Sequence, residues 1–445
     1  MKRQWKMALG IGVAVSLLAG CGGQSGRIRE AELLTPGTEV TQSEAVTSEE
    51  AVESLSASAQ QNLMEADISG TQWEWEIMDE SVREFSYRLM TEGLVHLEQE
   101  NPVLSPISAY MALSMAATGA QGETKEELES LLGAEHRNLS EKCMAILQNR
   151  AAVELELANS AWLDQRLQAK EEWLAGIQEA YRGEVYRADL SSRQTMKAIN
   201  TWAKEHTRGL VKDFLPRPMT EDARLALLNA LYLEADWWSS FEGYATHKQT
   251  WYREDGGEKQ VQTMNKGQAT FDYVADTDMD GVVLPFQGEE LVFLAIRPQA
   301  GQTARELYSQ LTPGQIASLL AGREERLMNL SLPKFTVSCD QELNELLQGL
   351  GVKRAFDPEL ADFSGLGTDA EGWPLYVSLV RQKAVIELNE EGVKAGAVTI
   401  VEMRAGAAMP AEEPVEMNLD HPFVYMILDL ETQVPLFVGI LDDPG

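Results

Sequence analysis

Cysteine is almost missing from this chain: Cys21, Cys143 and Cys339 are the whole supply in 445 residues. Three thiols make no disulfide framework and their spacing fits no metal-binding pattern, so Cys143 and Cys339 read as small buried apolar residues. Histidine is nearly as scarce, with five copies, and His96, His136, His206 and His247 stand in polar surroundings that predict surface positions. Basic charge is short as well: 37 Lys and Arg face 70 Asp and Glu, a formal net charge of −33. That balance repels phosphate backbones and anionic lipid, which excludes nucleic acid as a partner and membrane adsorption through surface charge. The apolar run at residues 7–18 falls short of the roughly 20 residues a membrane span needs. Gly-x-x-x-x-Gly-Lys loops, Gly-x-Ser-x-Gly elbows, His-Glu-x-x-His helices and Cys-x-x-Cys pairs are all absent, so neither an enzyme nor a cofactor or metal site is expected.

What is present is an ordinary globular composition, 44% hydrophobic and 24% charged, enough for a sizeable core. Residues 1–20 have the layout of a secretory signal, with Lys2, Arg3 and Lys6 ahead of the apolar stretch and small residues at Ala19 and Gly20. Leu18-Ala19-Gly20-Cys21 resembles the bacterial lipoprotein cleavage site, at which the cysteine becomes the lipidated first residue. An ordinary cleaved signal with an incidental cysteine is the alternative. The resemblance implies a secreted protein anchored to the cell membrane through lipid on Cys21, on the extracytoplasmic side. Residues 21–75 read as a disordered acidic tether: residues 22–80 hold 13 acids and 2 bases, and their apolar residues never recur with a sustained period. Residues 76–445 show no second linker and no repeat, and read as one domain.

Helical spacing is found at 77–98, 105–117, 125–132, 142–149, 171–181, 195–207, 304–311, 313–320 and 341–350. Strand patterns occupy 153–163, 225–233, 282–285, 291–296, 327–332, 376–388, 423–429 and 436–441. Helices come early and strands late, which predicts an α+β domain with a large, mostly antiparallel or mixed sheet.

The segment after residue 383 is the most unusual. A strand to Asn389 is followed by the turn Glu390-Glu391-Gly392, and then Val393, Ala395, Ala397, Thr399 and Val401 form a face of small or β-branched residues in alternation. Ala and Gly at 395–397 weaken the stretch as a strand. It reads either as a poor edge hairpin or as a loop able to become a strand.

At this point the chain, from about residue 76 to its end, resembles the serpin family. The motifs run in family order: Asn101-Pro102-Val103-Leu104-Ser105-Pro106-Ile107-Ser108, Gly119-Ala120-Gln121-Gly122-Glu123-Thr124, Ala158-Asn159, Leu228-Asn229-Ala230-Leu231-Tyr232 with Trp237, Leu332-Pro333-Lys334-Phe335, the hinge at 389–392, and His421-Pro422-Phe423 with Leu436-Phe437-Val438-Gly439. The resemblance implies a large mixed sheet A, two further sheets, about eight to nine helices and an exposed reactive-centre loop. It implies a monomeric suicide-substrate inhibitor of serine proteases, with cysteine proteases as a further class. A target cleaves the loop, is held as an acyl-enzyme, and is carried away as the loop inserts into sheet A.

Carried onto this sequence, the loop hinge is Glu390, Glu391, Gly392, Val393, Ala395, Gly396, Ala397 and Thr399, and Ser105, Ser108, Asn229, Trp237 and Gln382 fall at the shutter and breach. About 14 extended residues from Gly392 span roughly 45 Å, enough to carry a cleaved end across a sheet. The family's usual spacing puts the residue before the cut at Gly406, with Ala405 and Ala407 as neighbours, implying an elastase-like or subtilisin-like target. Arg404 is the competing position and implies a trypsin-like one. Val393, Lys394 and Gln382 depart from the family pattern, where Thr or Ser, Glu, and His are usual. Lys394 and the loop's length favour the alternative, a non-inhibitory serpin acting as a binding or structural protein.

Overall fold

A computed structural model of the chain describes residues 31–36, 72–93, 100–369 apart from 149 and 151, 371–373, 375–393 and 413–445. The fold is mixed α+β, built on two large sheets. The first is mixed and contains β1 (Glu154–Asp164), β2 (Glu184–Ala188), β3 (Leu225–Asp236), β4 (Phe335–Glu342) and β5 (Val377–Leu388). Across the sheet the order is β2-β1-β3-β5-β4. β1 pairs parallel with β2 and antiparallel with β3, β3 parallel with β5, and β5 antiparallel with β4.

The apolar run of β3 is nearly unbroken because both faces of the strand are covered. Leu225, Leu227, Leu231, Leu233 and Ala235 enter the main core, while Ala226, Leu228 and Ala230 face a second cluster. Helix α1 (Gln72–Gly93) and helix α2 (Pro106–Ala117) pack together on the main-core side, and α2 packs against β3 and β5. Every residue of α2 is buried, as expected of a helix apolar all round. Pro106 at its first turn supplies a preset φ and lacks only an N–H that has no helical partner there. Helix α3 (Arg193–His206) covers the opposite face, placing Ile199, Trp202 and Ala203 in the second cluster with Trp162 and Leu228.

The second sheet is nine-stranded. Its backbone is the 18-residue strand Glu258–Ala275, which joins what otherwise reads as two further sheets. Its polar sequence hid it, since along most of its length one face meets solvent. Val415–Asn418 pairs parallel with Glu324–Pro333 at one edge of this sheet. A two-stranded ribbon, Leu167–Ala169 with Gly367–Asp369, completes the sheets among the described residues.

Three expectations need correction. The helix read at 341–350 is the strand β4 followed by a short helix, Asn344–Gly349; Phe335 and Val337 are buried in alternation, and β4 pairs with β5 through Glu342. The helix read at 142–149 begins earlier, as His136–Gln148. Finally, composition predicts no packed structure between residues 22 and 75. Yet Glu32–Leu33 adds an antiparallel strand to the outer edge of β2, and α1 already starts at Gln72. An edge strand this short makes its bonds through the backbone, so it needs no periodic pattern to announce it.

Candidate functional site

β3 and β5 are bonded directly only along their lower part, from Leu225 opposite Val377 to Leu231 opposite Ala384. Above that the two strands part, and Gly392–Val393 sits between them. Val393 pairs with Ala235 on one side and Leu388 on the other; Gly392 pairs with Asp236. Val393 is buried in the main core. Gly392 has φ 153°, and a Cβ placed on it would stand 2.0 Å from the Ala235 carbonyl oxygen, so the close approach admits only glycine.

The turn before this wedge is tied on every side. The Asn389 side-chain oxygen accepts from the backbone N–H of Glu391 (2.9 Å) and of Gly392 (3.3 Å). Trp237 donates its backbone N–H to the Glu391 carbonyl (2.7 Å) and its indole N–H to the Asn389 carbonyl (2.9 Å), and Phe241 donates to the Glu390 carbonyl (2.8 Å). Trp237 is itself fixed by stacking on Phe286, with ring centroids 4.7 Å apart, and by the edges of Phe241 and Phe293. Lys334 reaches Glu390 at 2.7 Å. Burial pushes the Glu390 carboxyl up, but the hydrogen bonds it accepts, that of Lys334 foremost, together with the Lys334 charge outweigh it and hold the pKa below the usual carboxylate range.

Midway down the sheet, three amide side chains stand in a row. Asn159 of β1 is opposite Asn229 of β3, which is opposite Gln382 of β5, and all three are buried. Strand alternation places them on the main-core face, in step with Leu157, Leu227 and Val380. Asn229 donates to the Asn159 oxygen (2.7 Å), and Asn159 donates to the Tyr181 carbonyl (3.3 Å). The Asn229 oxygen and both polar atoms of the Gln382 amide have no hydrogen-bond partner among the described residues. Ser105 and Ser108, at the start of α2, are buried with their hydroxyls 2.8 Å apart.

Two histidines lie elsewhere than their polar surroundings suggested. His136 is buried, its Nδ1 2.8 Å from the Ser114 hydroxyl, and burial lowers its pKa. His206, at the end of α3, is ion-paired to Glu156 of β1 (2.5 Å) and Glu184 of β2 (3.3 Å). Burial alone would lower its pKa, but the two carboxylates outweigh that and raise it to about 9. No local signal could have joined these groups, since the partners lie on separate elements. Cys143 is buried.

Cys21, Ala395, Gly396, Ala397, Thr399, Arg404, Ala405, Gly406 and Ala407 lie outside the described residues. Ser105 and Ser108 stay together at the start of α2, and the other residues singled out for the loop and the sheet fall into two groups. Glu390, Glu391, Gly392, Val393 and Trp237 meet at the top of the β3–β5 gap, while Asn229 and Gln382 meet below it. Among the described residues, no helix is long and apolar enough to cross a membrane and no cluster of three His, Cys, Asp or Glu is placed to hold a metal.

Residues 80–444 match the family model described as Serpin (serine protease inhibitor). An uncharacterized serpin-like protein of Thermococcus kodakarensis is 31% identical over 359 residues, covering 77% of this chain and 81% of that protein. Alpha-1-antiproteinase of Rattus norvegicus is 28% identical over 375 residues, covering 82% and 88%. Among solved structures, the thermophilic serpin tengpin in its native state superposes with a TM-score of 0.76 at 30% identity, covering 83% of this chain and 94% of that one.

Proposed function

Because the chain belongs to the serpin family, whose members are in general serine protease inhibitors rather than enzymes, we propose that it traps proteases as a suicide substrate by inserting its cleaved loop between β3 and β5. The observation that carries this reading is the seating of Gly392–Val393 between those strands, with Val393 already in the core. Continuing the two registers sets Ala395 opposite Leu233 and Ile386, and Ala397 opposite Leu231 and Ala384. Thr399 falls opposite Asn229 and Gln382, where its hydroxyl can meet the stranded amide atoms. The count from each side agrees with the existing pairing of Leu231 with Ala384 and of Asn229 with Gln382, so opening the seam requires no register shift there.

The departure at Lys394 gains a reason in the same register. It falls opposite Glu234 on β3 and Glu387 on β5, so a lysine there enters between two carboxylates. Residue 403 reaches Leu225, the foot of β3. A cut after Ala405, Gly406 or Ala407 therefore leaves the acylated residue just beyond the sheet, and small residues there favour an elastase-like or subtilisin-like target. Arg404, with a trypsin-like target, is the second choice. The domain is held outside the cell membrane by lipid on Cys21, supported by the Leu18-Ala19-Gly20-Cys21 sequence.

The test is incubation with elastase-, subtilisin- and trypsin-like proteases, followed by a search for a complex that survives boiling in detergent. Cleavage by each of them with no complex would overturn the inhibitory reading. The released C-terminal peptide should begin at Gly406, Ala407 or Ala408; one beginning at Ala405 assigns the site to Arg404. Cys21→Ser should release the protein from membranes, and persistent attachment would remove the anchor.

A further inference from the structure

The docked strand Glu32–Leu33 lies at one end of the first sheet. Glu32 is in line with Arg187 of β2, which is in line with Leu163 of β1 and Leu225 at the foot of β3. The hinge residue Val393 meets β3 at Ala235, ten residues further along that strand and therefore about 33 Å away. The docked segment is held by more than its backbone: the Glu32 carboxylate pairs with the Arg187 guanidinium, whose Nε donates at 3.1 Å. The Leu34 N–H donates to the Val185 carbonyl (2.8 Å), Leu34 packs against the main core, and Ala31 packs against the second cluster. The pairing is antiparallel to β2, so the chain arrives at the foot and then climbs toward the hinge end.

We propose that this docking sets where and how closely the domain is attached: it fixes the exit toward Cys21 at the pole opposite the hinge, so that the reactive end faces away from the membrane. The proposal rests on the reading of Cys21 as the anchor. With residues 31–36 docked, Cys21 is ten residues from the sheet and can stand at most about 35 Å from its foot. Without docking, the first packed element is α1 at Gln72, and about 50 intervening residues could extend to roughly 170 Å in any direction. The edge strand thus turns a long leash into a short, directed one. It also covers the row of backbone groups that β2 would otherwise present at the sheet edge.

The test uses the full mature chain with Cys143→Ala and Cys339→Ala, a spin label on Cys21, and a second label at Glu221→Cys near the foot or Glu242→Cys near the hinge. The foot label should give the shorter and narrower distance distribution, the hinge label one longer by roughly the length of the sheet. Glu32→Arg should broaden both until they overlap, and Glu32→Arg with Arg187→Glu should restore the difference. Coinciding distributions in the chain with Glu32 intact, or no change with Glu32→Arg, would overturn the proposal. A separate arm follows the lipid-bearing protein through flotation with vesicles of neutral phosphatidylcholine. A short foot distance together with failure to float would leave the docking in place and remove the anchor reading, and with it the orientation.

Discussion

Asn229 and Gln382 are directly opposed across the parallel seam between β3 and β5, yet their side-chain amides make no hydrogen bond to each other. One donates sideways to Asn159, and the other leaves both its polar atoms stranded. A buried amide without partners costs about 1–3 kcal/mol per group. The intact form therefore carries a penalty at the place where a new strand is proposed to enter.

Gln382→Met removes that penalty at nearly constant volume and should stabilise the intact protein by about 1–3 kcal/mol. A raised thermal midpoint, with slower trapping of protease, is the expected pair of results. An unchanged or lowered midpoint would mean that the amide is satisfied.

Lys394→Glu should slow insertion, because the substituted carboxylate would arrive between Glu234 and Glu387. The expected signature is a several-fold rise in the number of inhibitor molecules cleaved per enzyme trapped, relieved by high salt. Trapping equal to that of the natural chain would remove the register on which the assignment rests.

Gly392→Ala sets a Cβ against the Ala235 carbonyl at a distance no real side chain tolerates. The hinge should leave the sheet top, exposing the amides of 391–393 to hydrogen exchange and raising the fraction of loop cleaved without trapping. Unchanged protection of those amides would show that the strands part to accept the methyl group.

The His206 pair makes a pH prediction. Its pKa is raised from 6.5 to about 9 in the folded protein, so the stabilisation is fully present below pH 6.5 and is lost as pH rises through 9. Its size is on the order of 2–3 kcal/mol at most, given the part exposure of the ring. Unfolding rates measured between pH 6 and pH 9.5 should rise at the alkaline end. The rise should be smaller in His206→Gln, and equal slopes in the two proteins would exclude this residue as the cause.

Legibility followed the range of the interactions. The run Leu225–Leu233 and the Ser105-Pro106 helix start were readable because burial on both faces and a preset φ leave local marks. The alternation of small residues from Val393 onward can be read locally, but the strands that would flank it cannot, so a partner for Lys394 enters only as a proposal, by continuing the pairs of Gly392 and Val393 to Glu234 and Glu387. β4 was misread because Asp340, Gln341 and Glu342 are polar and run straight into a short helix. The docked Glu32–Leu33 and the His206 pairs were invisible, since both depend on residues far away in the chain, the first through backbone bonds that any side chain permits and the second through carboxylates on two other strands.

The seam between β3 and β5 also shapes how the polypeptide is made. About 140 residues separate the end of β3 from the start of β5, and at roughly 5–20 residues per second a ribosome needs on the order of ten seconds or more to produce them. Throughout that interval the nascent β3 has β1 on one side and nothing of its own on the other. Its apolar, unpaired edge is then open to any passing strand. Synonymous codons that slow elongation between residues 237 and 376 should therefore lower the yield of soluble protein more than equally slow codons placed after residue 388.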